Sequence, residues 1–167
     1  MHMWVDEKGR NLYHKLPANH ELPKESNLGT GFRLWYRGRP AEHQYPYRSC
    51  KASDFRVPVK PEDGAGEEVV AAWKKARTQR KRFSKWRRTY GALEDLIKDL
   101  PCYKQQPKAG EELNTMFEEA IKRIGPLLPD PGKYKRRFQS LSQGTVYNDL
   151  VKKRKLDKAG AAAAGGQ

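Results

Sequence analysis

Long apolar runs are missing from this sequence. No stretch of about 18 apolar residues occurs, so no transmembrane helix is expected. Aliphatic residues are sparse as well: 37% of the 167 positions are hydrophobic against 32% charged, and mean hydropathy is −0.98. Such a chain has little apolar area to set against the entropy of ordering its backbone. Cysteine is nearly absent. Cys50 and Cys102 are too few for a disulfide framework and too far apart for a paired metal motif, so both read as free thiols.

Signs of catalysis are lacking too. There is no GxxxxGK[ST] loop, and Gly29-Thr30-Gly31 has neither the spacing nor the following helix that a phosphate loop needs. His2, His14, His20 and His43 show no metal-ligand spacing with one another or with cysteine. Glu94, Asp95 and Asp99 read as partners for nearby cations. No Ser, Cys or His stands in a recognisable nucleophile setting. The expectation is therefore a protein with no catalytic residue, no cofactor and no metal site. The opening MHMWVDEKGRNLYHK carries Asp6 and Glu7 and no apolar centre, and reads as neither a secretory signal nor an acid-poor transit peptide.

What the chain has in excess is positive charge, +14 in all, and it is unevenly placed. Residues 1–68 hold 11 Lys/Arg and 10 Asp/Glu, and residues 101–132 hold 4 and 5. Residues 69–100 hold 10 and 3, and residues 133–167 hold 9 and 2. Two segments carry nearly the whole excess. One-signed blocks of this density repel themselves unless something neutralises them, which favours a polyanionic partner. Aromatic residues, with four Trp, eight Tyr and five Phe, suit a chain that orders by packing on partners.

The fold class read from the pattern is mainly α. A long basic helix and an amphipathic helix are expected to form a helical hairpin, preceded by an extended N-terminal arm and followed by a basic C-terminal tail. The expected divisions are a turn-rich arm over 1–66, the hairpin over 67–128, a basic segment with a short helix over 129–158, and an Ala/Gly tail over 159–167. The arm is rich in Pro, Gly, Asn and His. Within it Phe32, Leu34 and Tyr36 alternate as in a strand. Trp35, Tyr36, Tyr45 and Tyr47 lie in WYRGRP and YPYRSC, where aromatics interleave with arginine. They are candidate anchors, stacking on bases or burying in a protein neighbour.

The first helix is predicted over Glu67–Leu100, stopped by Pro101. Val69, Ala76, Phe83, Tyr90 and Ile97 fall seven apart, with Ala72, Gln79, Trp86, Leu93 and Leu100 in the intervening positions and Trp73 beside them. Its centre, WKKARTQRKRFSKWRR, holds Lys74, Lys75, Arg77, Arg80, Lys81, Arg82, Lys85, Arg87 and Arg88 and no acid. A merely solvated face mixes both signs through i,i+4 pairs; this one reads as a surface for phosphates. The second helix, predicted over 108–125, carries the stripe Leu113, Met116, Phe117, Ala120, Ile121 and Ile124. A third is expected from Thr145 to Leu156. Lys135, Arg136, Arg137, Lys152, Lys153, Arg154 and Lys155 complete the candidate polyanion contacts.

These features together point to a non-catalytic structural subunit of a large assembly. The leading expectation is an RNA-contacting component of an organellar, mitochondrial ribosome, with other protein subunits and RNA as partners. The alternatives are a ciliary microtubule doublet protein on the acidic tubulin lattice of the axoneme, and a soluble accessory subunit of a respiratory complex or ATP synthase. A nuclear, DNA-binding role rests mainly on KKRK at 152–155.

Overall fold

The computed structural model describes residues 2–5, 11–14, 16, 20–24, 27–39, 46–104, 110–136 and 141–165. The protein is mainly helical. A short antiparallel pair, β1 (His2–Val5) and β2 (Asn11–His14), is followed by α1 (Leu28–Tyr36), α2 (Glu67–Asp95), α3 (Pro101–Lys104), α4 (Gly110–Ile124), α5 (Pro131–Arg136) and α6 (Gln143–Gly165). Single 3-10 turns lie at Tyr47–Ser49, Ala52–Asp54 and Gly125–Leu127. The chain divides into two compact units, Met1–Lys24 with Leu34–Arg87, and Glu25–Arg33 with Arg88–Gln167.

The first unit is built around aromatic rings on α2. Phe83 stacks on Phe55 with ring centroids 4.6 Å apart, and Trp35 tilts against the same Phe83. Tyr47 meets Trp86 edge to face at 5.6 Å. Leu16, Leu22, Leu34, Tyr36 and Cys50 are buried as well. β1 pairs with β2 in the register His2 to His14 and Val5 to Asn11. The segment 1–61 is therefore not simply an extended arm: its described parts hold a hairpin, two 3-10 turns and a helix.

The Phe32–Tyr36 stretch forms a helix where alternation predicts a strand. Asn27 accounts for this. Its Oδ1 accepts the backbone N–H of Thr30 at 2.9 Å and the Thr30 hydroxyl at 3.1 Å, which satisfies helix-end donors. Leu28, Phe32 and Trp35 then fall on one helical face, and all are buried. Gly31 lets this helix approach Tyr90, because a methyl there would overlap the buried Tyr90 hydroxyl.

In the second unit the apolar stripe of α4 is buried throughout, from Leu113 to Ile124. Phe117 tilts against Phe32 at 5.5 Å. Helix α2 stops at Asp95 rather than running to Leu100. Its backbone tightens into successive i→i+3 turns, closed by the N–H groups of Leu96, Ile97 and Leu100 on Leu93, Glu94 and Ile97. Pro101 does not end that helix; it opens α3, where a missing N–H is harmless. Arg123, in the last turn of α4, donates to the Leu96 carbonyl at 2.7 Å and to Asp99 at 2.6 Å. Asp149 of α6 is buried and accepts from Tyr134 at 2.7 Å and Lys133 at 2.9 Å, fixing α5 on α6.

The C-terminal helix is longer than the sequence pattern predicts. Ser142 caps it through the Thr145 N–H at 3.1 Å, and the helix continues to Gly165. The Ala/Gly tail carries the helix on because alanine loses least on entering one. Beyond Lys153 every described residue of α6 is exposed. No helix among the described residues is long and apolar enough to cross a membrane.

Candidate functional site

The nine cations predicted on the first helix all lie on α2, but the structure gives them different work. Arg82 donates from its two terminal nitrogens to the carbonyls of Leu22 and Pro23, at 3.2 and 3.3 Å. One turn earlier, Gln79 accepts the Leu22 N–H at 2.9 Å. Arg80 donates to the Phe55 carbonyl at 2.8 Å. Lys75 pairs with Glu21, and this hydrogen bond lowers the Glu21 carboxyl below its ordinary value. Arg80, Arg82 and Lys75 therefore tie the segments around Leu22 and Phe55 to α2. Gln79, the one polar member of the predicted heptad seam, is part of that clamp.

The other α2 cations of the first unit, Lys74, Arg77, Lys81, Lys85 and Arg87, are exposed. At 100° per residue, Lys74, Arg77, Lys81 and Lys85 fall within about 80° of one another, on the side of α2 away from Phe83 and Trp86. The stripe is about 16 Å long. Thr78 and Ser84 share this side, and their hydroxyls bond back to the carbonyls of Lys74 and Arg80 at 2.9 and 3.0 Å. No acid occurs in α2 between Glu68 and Glu94. Arg77 holds its guanidinium 4.6 Å over the Trp73 ring. Arg88 belongs to the second unit and is half-buried.

The candidate aromatic anchors sit elsewhere than proposed. Trp35, Tyr36 and Tyr47 are 4%, 3% and 2% exposed, so no base or neighbouring protein reaches their faces. The interleaving of aromatics with arginine is satisfied inside the unit, where Arg48 lies 4.2 Å over Tyr36. Tyr45 lies outside the described residues. Burial raises the Tyr47 hydroxyl well above its usual range. The same cause pushes the Cys50 thiol up to about 12, which makes it inert as a nucleophile.

No family model matches the chain, and neither a curated protein nor a solved structure is found similar to it.

Among the described residues, the cations of the second unit form no comparable row. Lys135 is exposed on α5, Arg136 ends that helix, and Arg137 lies outside the described residues. Lys152, Lys153, Arg154 and Lys155 are consecutive on α6. At 100° per step they surround the helix instead of lining one side. Lys153 pairs with Asp157 at 2.6 Å. Among the described residues, no three His, Cys, Asp or Glu side chains gather into a set that could hold a metal ion.

Proposed function

We propose that this chain is a non-catalytic structural subunit of a ribonucleoprotein, held to RNA phosphate through the outward stripe of α2. One observation carries the reading: Lys74, Arg77, Lys81 and Lys85 share an exposed face with no acid on α2 from Val69 to Leu93. Displacement of condensed counterions makes such a row a binding surface for phosphate. The fold engages Lys75, Arg80 and Arg82 on its own segments, while Lys74, Arg77 and Lys81 stay exposed on the outward face. An organellar ribosome is the particle this reading names first, since a small, basic, partner-dependent chain fits its periphery.

Ultraviolet cross-linking in cells, with nucleotide adducts mapped by mass spectrometry, tests the site. Adducts are expected on the peptide spanning Lys74 to Lys85. Adducts confined to other segments would overturn the assignment of this face. Their complete absence, with cross-links to acidic protein instead, would favour a filament surface such as tubulin.

A further inference from the structure

We propose that the segment from Arg56 to Pro61 docks into a partner protein that reads extended proline chains, through a shallow groove lined by aromatic rings and edged by acidic side chains.

The segment reads RVPVKP. Proline fixes its own φ near about −65°, and the residue before a proline is pushed out of the helical region into the extended one. Val57, Pro58, Lys60 and Pro61 are each confined in this way, and Val59 between them is β-branched and stiff. Residues 56–61 accordingly belong to neither helix nor strand. Both ends are fixed. Upstream, Phe55 is buried on Phe83 with ring centroids 4.6 Å apart, and its carbonyl accepts the Arg80 Nε–H at 2.8 Å. Downstream, the Ala65 N–H closes a turn on the Glu62 carbonyl at 3.1 Å, with Gly64 at a φ of 88°, and α2 begins at Glu67. An extended segment held at both ends loses little freedom when it is bound.

Val59 is 91% exposed, and Arg56, Pro58 and Lys60 are exposed beside it. An apolar side chain so placed adds nothing to the stability of its own fold, but it contributes wherever a partner covers it. In the polyproline II helix that these residues favour, three residues make a turn. Pro58 and Pro61 then share one edge, and Arg56 and Val59 share the next. Prolines three apart on an exposed extended segment are what aromatic-lined grooves recognise. Addition as a strand to a partner's sheet fits less well, because Pro58 and Pro61 have no N–H to donate. Phosphate fits less well too. Glu62 and Asp63 follow directly and are exposed, so the charge changes sign along the segment. That polarity sets the direction of docking, with acidic side chains of the groove against Arg56 and Lys60.

The full chain, fluorescently labelled, is titrated against an array of purified proline-binding domains that have aromatic grooves and acidic rims. Saturable binding to at least one domain is expected. The double variant Pro58→Ala, Pro61→Ala keeps the net charge, so it retains any general attraction of a basic chain for an acidic domain. Its affinity should nevertheless fall at least about tenfold. Val59→Ser should weaken binding about threefold or more, whereas K81E on α2 should change it by less than about twofold. A cooperative thermal melt shows that the double variant still folds; if it does not, Val59→Ser, at a side chain 91% exposed, carries the test. Absence of saturable binding to any domain would overturn the proposal. So would binding that both the double alanine variant and Val59→Ser retain in full. Ultraviolet RNA adducts on residues 56–61 in cells would also overturn it, and would assign the segment to nucleic acid.

Discussion

Arg82 and Lys81 are adjacent in sequence and serve opposite ends. Arg82 turns inward and satisfies two successive carbonyls, at Leu22 and Pro23; Lys81 points to water. Composition counts them alike, because the difference depends on which helical face meets the chain segment near Leu22. A similar inversion holds for the aromatics. Trp35 packs on Phe83, so Trp35→Ala is expected to destabilise the protein by about 3–5 kcal/mol. Its RNA affinity per folded molecule should stay unchanged. Urea unfolding beside a binding titration separates the two; a selective loss of affinity without loss of stability would contradict the core assignment. His20 offers a pH handle. It is half-buried between Tyr47 and Phe55, with Nε2 2.6 Å from the Tyr47 hydroxyl. Burial lowers its pKa from the ordinary 6.5, against an opposing pull from Glu21. The neutral ring is thus the one the fold accommodates. Its stabilisation is complete above 6.5 and is lost as pH falls from there through the lowered folded value. Between about pH 7.5 and about pH 5.5 the urea midpoint should fall more for the natural protein than for His20→Gln. Equal shifts would remove His20 as the cause.

Elements are where the sequence was most and least legible. The apolar stripe of α4 was readable in full, since six residues at helical spacing leave little choice of face. The start of α2 at Glu67 and its basic centre were readable too. Its heptad seam was overextended at the N-terminal end. Val69 is 57% exposed and Ala72 is exposed, whereas Phe83, Tyr90 and Ile97 are fully buried. Periodicity marks the face that could be covered, but only partner segments decide how far covering extends. The helix α1 was hidden because Phe32, Leu34 and Tyr36 alternate as in a strand; the usable signal was Asn27 ahead of Leu28, Phe32 and Trp35. The division of α2 cations into inward and outward sets was not readable, because it is set by contacts about 60 residues apart in sequence. That division predicts a difference between two variants. Arg82→Gln should cost about 1–3 kcal/mol of stability by leaving carbonyls unsatisfied. Lys81→Gln should leave stability within about 0.5 kcal/mol and weaken RNA binding instead. Thermal melts and binding isotherms on both variants check this; equal stability loss in the two would refute the division.

At the scale of the whole molecule, the net charge is +14, and both α2 and α6 carry exposed cations. In the first unit the outward stripe of α2 meets no acid of its own helix. In the second, α6 beyond Lys153 is exposed on every side, with Leu156 62% exposed. A basic helix with nothing packed around it gains little from its own fold, and gains more where a polyanion lies against it. Most of the described aromatic rings are consumed internally, so the proposed role leans on charge. Sedimentation of the tagged protein from a gentle lysate, with and without ribonuclease, tests that dependence most directly. The protein is expected to run with a large particle, and ribonuclease is expected to release it. A protein that stays in a large particle after complete digestion of the RNA would contradict that role.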